Sequence, residues 1–157
     1  MTHQIQSQFK EAMRRLAANV SLISCNVDGQ RAGIAATAVC SLSMDPPSLV
    51  SCINKGASVH PGLCVDTSYC VNLLKDNQED ISNVFGKVTT CIDKFSFGDW
   101  KQDERGTPYL SDAHANIFCT VKKIVDYGSH SIVIGDATHI KMNEIGLPLI
   151  YFDGGYL

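Results

Sequence analysis

Apolar and polar residues along this chain fall mostly into short runs, with helical spacing in only two places. Near the start, Phe9, Met13, Leu16 and Val20 recur every three or four positions, with Lys10, Glu11, Arg14 and Arg15 on the other side. That spacing predicts a helix over about Ser7–Asn19 whose stripe is a core contact. Val20–Val27 then reads as a strand, closed by Asp28-Gly29, a strong hairpin turn signal. Arg31–Met44 reads as one strand of small residues, stopped by Asp45-Pro46-Pro47 because proline cannot donate to a ladder. Ser48–Ile53 is a buried strand that runs into a polar loop, Asn54–Ser58, and then a short helical turn around Val59–Cys64. Ser68–Leu74 is another strand.

The second helical stretch opens at Asp76 as N-cap, with Glu79 at the reciprocal position. Ile81, Val84 and Phe85 form its apolar face and Gly86 ends it. Asp93–Ser111 mixes charge, Gly and Pro with Phe95, Phe97, Trp100 and Tyr109, which reads as a long loop with aromatic anchors. Two long strands follow, Ala115–Tyr127 and Ser131–Met142, joined at Gly128-Ser129-His130. Pro148–Phe152 is a last strand, with 153–157 as a tail. Tight turns between strands favour antiparallel pairing. No βαβ unit recurs and no Gly-x-Gly-x-x-Gly is present, which argues against a dinucleotide fold of parallel strands. The pattern predicts a mainly β protein: an antiparallel barrel of six or seven strands with peripheral helices, in one domain spanning 1–157.

Composition narrows the partners. Of 157 residues, 45% are hydrophobic and only 18% are charged, so part of the surface is expected to be covered in an oligomer. The net charge is −3 without a basic cluster, which argues against nucleic acid or an anionic membrane as partner. No apolar run is long enough to span a membrane, and the polar start carries no signal-peptide pattern. The seven cysteines are odd in number and form no Cys-x-x-Cys pair, so they read as reduced thiols in a cytoplasmic protein. His60 and Cys64 are four apart, but Pro61 intervenes and two ligands do not make a zinc site, so no metal is expected.

The strand of small residues is the most informative stretch. Most of its side chains are small, which lets a flat ligand approach the backbone, and Thr37 and Ser41 add hydroxyls. Tight packing against a neighbouring element is the competing reading. Lys55, Gly56 and Ser58 suit a phosphate cradle, in which Lys supplies charge and Ser58 a donor; a solvated turn is the alternative. Asn54 and Asn72 each close a buried strand and could bond a polar chain, or serve turns. His130 sits in a hairpin turn, where a histidine is often only solvated. Tyr151 and its neighbours place aromatics and glycines at a strand end, suited to stacking on a ring or to edge packing. No nucleophile elbow or paired carboxylates support a hydrolase.

Five blocks, in order, carry a family resemblance. They are Phe9-x-x-Ala12-Met-x-x-Leu16-Ala-x-x-Val20, Gly33-x-x-Ala36-Thr-Ala-Val-x-Ser41-x-Ser-x-Asp-Pro-Pro47, Asn54-x-x-Ala57-Ser-x-His60-Pro, Gly128-x-His130-x-x-x-x-Gly135 and Tyr151-Phe-x-Gly154-Gly-Tyr156. From Phe9 to Tyr156 the chain resembles the flavin reductase domain family with its FMN-binding split barrel, which includes the small reductase components of two-component flavin monooxygenases. The resemblance implies a homodimeric Greek-key split barrel that binds FMN or FAD. It also implies hydride transfer from NADH or NADPH to flavin, with reduced flavin diffusing to a partner oxygenase. Ala36, Thr37, Ala38, Val39 and Ser41 would then lie along the flavin. Asn54, Lys55 and Ser58 would hold its ribityl chain and phosphate, Tyr151 would line the ring site, and His130 would meet the nicotinamide nucleotide. Ser129 stands where the family commonly has Asp. Two other readings remain: a bound-flavin reductase acting on a corrinoid or metal complex, and an FMN-binding module without turnover. Hydride transfer needs close positioning and little acid–base chemistry, in keeping with the absence of a triad.

Overall fold

The computed structural model describes residues 3–87 and 92–157; Cys91 lies outside them. The elements are α1 (His3–Arg14), β1 (Ala18–Asn19), β2 (Ser21–Val27), β3 (Gln30–Ala36), β4 (Val39–Met44), β5 (Pro47–Asn54), β6 (Ser68–Leu73) and α2 (Glu79–Gly86). They continue with β7 (Trp100–Gln102), β8 (Pro108–Leu110), β9 (Ala115–Tyr127), β10 (His130–Met142), β11 (Ile150–Phe152) and β12 (Gly155–Tyr156). Seven strands form one antiparallel sheet in the order β3-β2-β6-β9-β10-β5-β4. Its two edge strands, β3 and β4, are consecutive in the chain, with only Thr37 and Ala38 between them. Three Cα steps span at most about 11 Å, so the sheet must curl until its edges meet at this corner. The result is the split barrel expected from the sequence.

Side chains alternate across the strands and so build two cores. Ile34, Ile23, Val71 and Ile117 lie opposite one another across β3, β2, β6 and β9 and point into the barrel. The neighbouring row, Ala35, Leu22, Asn72 and Asn116, points outward. There Leu22 joins Val20, Leu74, Phe85, Leu110 and Leu149 in a second core beneath α2 and the β7–β8 hairpin. Burying each large aliphatic or aromatic side chain contributes about 1.5–3 kcal/mol. Two glycines let these layers close: a Cβ at Gly135 would collide with the Tyr69 hydroxyl inside the barrel, and one at Gly33 with the Phe85 ring outside it.

Asn72 is buried and serves this outer layer rather than a ligand. Its Oδ1 accepts from Leu110 N at 2.8 Å and from Asn116 Nδ2 at 2.9 Å, while its Nδ2 donates to Leu22 O at 2.8 Å and Ser24 Oγ at 3.0 Å. Ser24 Oγ in turn donates to Pro108 O at 2.6 Å. This network seats the β7–β8 hairpin on the sheet, and leaving such buried groups unpaired would cost about 1–3 kcal/mol each.

Several local expectations change. The expected single strand over Arg31–Met44 is broken at Thr37–Ala38, and the inward face shifts from Ile34 and Ala36 before the break to Val39 after it. The first helix spans His3–Arg14 and not Ser7–Asn19, because Ala18 and Asn19 pair with Tyr151 and Ile150 and the Arg14 carbonyl accepts from Asp153 N at 2.8 Å. It buries none of its own residues, so its stripe is not a core contact within this chain. Asp76 does not cap α2: a 3₁₀ turn over Asp76–Gln78 precedes it, and Gln78 Oε1 accepts from Lys75 N at 2.9 Å. Finally, the loop over 93–111 contains the β7–β8 hairpin, and the tail folds back as β12 on β11.

Candidate functional site

The corner between the sheet edges organises the site. Thr37 and Ala38 leave the ladder and are exposed, while Ala36 and Val39 still pack on the barrel core. The Ala38 carbonyl accepts from Cys52 N at 2.9 Å, which fixes the corner against β5. Asn54 lies two residues further along β5, about 7 Å away at a strand's rise per residue. Small side chains at the corner therefore expose backbone within a short reach of the polar Asn54–Ser58 loop.

That loop is held from three directions. Asn54 Oδ1 accepts from Gly56 N at 2.8 Å, a local turn that folds the loop back. Lys55 N donates to Ser129 O at 2.9 Å, and Ser58 Oγ donates to Gly33 O at 3.3 Å. Asn54 is the direct antiparallel partner of His130, so Asn54, Lys55 and His130 gather at one end of the β5–β10 ladder. His130 is exposed, with its Nδ1 2.9 Å from Ser129 Oγ. Below the loop, Ser131 Oγ donates to Asp126 Oδ1 at 2.6 Å, and Lys55 Nζ lies 3.6 Å from Asp126 Oδ2. The Ser131 hydroxyl, and after it Lys55, hold the Asp126 carboxyl below the usual carboxylate range.

Two clefts run along β3 beside α2. One, of about 390 Å³, is lined by Gly33, Ile34, Gly56, Ala57, Ser58 and Phe85, among others. The next, of about 540 Å³, is lined by Ala36, Thr37, Ser82, Tyr151, Gly154 and Tyr156, among others. Gly86 and Lys87 line both, so the clefts form one groove from Ser58 to Tyr151. Each is of a size usual for a small-molecule site. The groove thus unites Ala36, Thr37, Ser58 and Tyr151. Ala38, Val39 and Ser41 lie beyond its corner end along the other sheet edge, and Asn54, Lys55 and His130 stand beside its loop end. Its groups suit a flavin: the Thr37 hydroxyl, a cation at Lys87, an aromatic ring at Tyr151 and little side-chain bulk between them, while the Ser58 hydroxyl is turned to Gly33 O.

Sequence reasoning missed Lys87, Asp126, Ser131 and the wall formed by Phe85 and Gly86. Lys87 follows a helix end, where a cation is common anyway, and the others are brought in by non-local pairing. His60 Nε2 sits 2.8 Å from Ser131 Oγ and not at Cys64. Among the described residues no cluster of three or more His, Cys, Asp or Glu comes together to hold a metal. The six described cysteines are free, and burial pushes the Cys25 and Cys119 thiols up to about 12, so both stay protonated as small hydrophobes.

The model of the flavin reductase like domain matches residues 13–157. The chain belongs to that family. An FMN reductase (NADH) RutF 2 from Rhizobium rhizogenes strain K84 is 40% identical over 151 residues, covering 96% of this chain and 87% of the relative. The FMN reductase (NADH) RutF from Enterobacter cloacae is 37% identical over 156 residues, covering 99% and 95%. Among solved structures, a homologue of nitrilotriacetate monooxygenase component B from Mycobacterium thermoresistibile superposes with a TM-score of 0.86 at 27% identity, covering 98% of this chain and 86% of that one. The flavin reductase fold and the groove along β3 are thus found in the same molecule.

Proposed function

We propose that this chain is an NADH:flavin oxidoreductase that binds FMN along the β3 groove and releases it reduced to a partner monooxygenase. The observation that carries the reading is the corner at Thr37–Ala38, where the two sheet edges meet and small side chains leave backbone open beside hydroxyl and cationic groups. Family membership supports the reaction class. The names of the relatives favour FMN over FAD and NADH over NADPH, and the component B homologue favours an oxygenase as recipient. Flavin, when bound, supplies the acceptor for a hydride from the nicotinamide. The chain's own task is placement: Ala36, Thr37, Ala38, Val39 and Ser41 line the approach, Asn54, Lys55 and Ser58 hold the ribityl and phosphate end, and Tyr151 closes the far end of the groove. His130, exposed at the loop end, orients the nucleotide. Hydride transfer requires the reacting atoms to be about 3–3.5 Å apart, and small residues at the corner leave space for two stacked rings.

The reading includes a homodimer in the cytoplasm. Ile5, Phe9, Met13 and Leu16 form an exposed apolar stripe on α1 and just after it, with Phe9 66% and Leu16 62% accessible. A second copy would cover that stripe, and exposed free thiols at Cys40 and Cys64 suit a reducing compartment. Steady-state NADH oxidation with added free FMN, FAD and riboflavin tests the proposal. Saturable dependence on free FMN is expected. Turnover only with a corrinoid or metal complex, or no turnover with flavin bound, would replace it by one of the other two readings.

A further inference from the structure

The Lys55–Asp126 pair stands at the mouth of the loop assigned above to the flavin phosphate, and its geometry has a direction. Asp126 is a carboxylate and only accepts, so the 2.6 Å contact from Ser131 uses the serine hydroxyl proton. Ser131 Oγ must then accept from His60, which fixes the proton on His60 Nε2 across their 2.8 Å contact. The chain His60 to Ser131 to Asp126 therefore aims the second carboxylate oxygen at Lys55 Nζ, 3.6 Å away. Ser131 is fully buried and His60 half-buried, so the aim is set from the protein interior. The Asp126 and Lys55 side chains themselves remain open to solvent at 65% and 39%. A bound phosphate and Asp126 would compete for the same ammonium group.

We infer that Asp126 is an affinity-setting residue: an internal anion that occupies Lys55 when no flavin phosphate is bound and so weakens retention of FMN. The inference rests on Lys55 being a phosphate contact. A reductase that hands its flavin to another protein gains from such a competitor, because a site that held the phosphate against no rival would release product slowly. This competition acts on the phosphate end and not on the ring. The carboxylate is thus neither a ligand of the flavin nor a participant in hydride transfer; it acts through Lys55.

Dissociation constants for FMN and riboflavin, measured by fluorescence at low salt, test this in the full chain. Asp126→Asn should tighten FMN about three- to fivefold, the upper scale of losing one exposed ion pair. Riboflavin, which has no phosphate, should keep its affinity. Asp126→Glu, which restores the charge, should return FMN affinity toward the parent value. In a Lys55→Ala background, Asp126→Asn should tighten FMN by less than twofold. Unchanged or weaker FMN binding in Asp126→Asn would overturn the inference, as would equal tightening of riboflavin or full tightening without Lys55. The underlying assignment fails separately: if Lys55→Ala alone weakens FMN and riboflavin equally, the loop does not hold the phosphate.

Discussion

Two amphipathic segments of this molecule carry similar signals and meet different fates. In α2, Ile81, Val84 and Phe85 pack into the outer core, and Phe85 is 1% exposed against Gly33, Phe95 and Trp100. In α1, Phe9 and Met13 recur with the same helical spacing, yet the helix buries nothing. Periodicity identifies a helix and its apolar face; it does not say what that face will touch. The partner of α2 is encoded by neighbours in this chain, namely a glycine under the ring and a hairpin seated by Asn72. Nothing among the described residues covers that face of α1; the homodimer proposed above would lay a second copy against it.

The comparison breaks most visibly at Phe85. Phe85→Ala should cost about 3–5 kcal/mol, read as a lower midpoint of denaturation, because it empties the outer core beside β3. Flavin binding should fall with it, since the ring also walls the groove. Phe9→Glu should do the reverse. If the proposed dimer forms through this stripe, light scattering should show it in the parent and a monomer in the variant, a loss of about 2 kcal/mol or more of association energy. The secondary structure by circular dichroism should be retained. If Phe9→Glu unfolds the chain as Phe85→Ala does, α1 is a core helix after all and the contrast fails.

Two substitutions at the loop end sharpen the contrast by leaving both helices intact. Lys55→Ala should weaken FMN by about 1.5–3 kcal/mol, roughly ten- to a hundredfold, with riboflavin little changed and the dimer preserved. His130→Ala should raise the KM for NADH with flavin affinity nearly intact, a loss of about 1–3 kcal/mol in kcat/KM. Stopped-flow reduction at varied NADH separates the two: an unchanged nucleotide dependence with weakened flavin would place His130 at the flavin instead.

Much of this architecture was legible because it is local. The long strands over 115–127 and 131–142 follow from two apolar runs joined at a glycine-containing turn, and the structure extends the second by one residue, to His130. The Asp28-Gly29 hairpin is legible for the same reason, both residues adopting positive φ. What could not be read depends on distant chain. The break at Thr37–Ala38 is imposed by barrel closure, since the same small residues would continue a strand if the two edges did not have to meet. Asn72 resembles a turn or ligand residue until its partners on β2, β8 and β9 are known. For the candidate site, Thr37, Ser58 and Tyr151 could be singled out from the sequence because they sit in blocks that carry the family resemblance, and the groove brings them together. Asp126 and Ser131 were not, because an exposed Asp and a strand Ser are ordinary until pairing brings them under Lys55.

On the reading proposed above, this chain reduces free flavin and lets it go. Anaerobic NADH consumption, followed at a small fixed amount of protein with increasing FMN, tests it most directly. The account predicts that NADH is consumed until all added FMN is reduced, many equivalents for each chain, with a rate that saturates in FMN. Consumption that stops after one equivalent of flavin per chain, however much FMN is added, would contradict it and make this a protein that keeps its flavin.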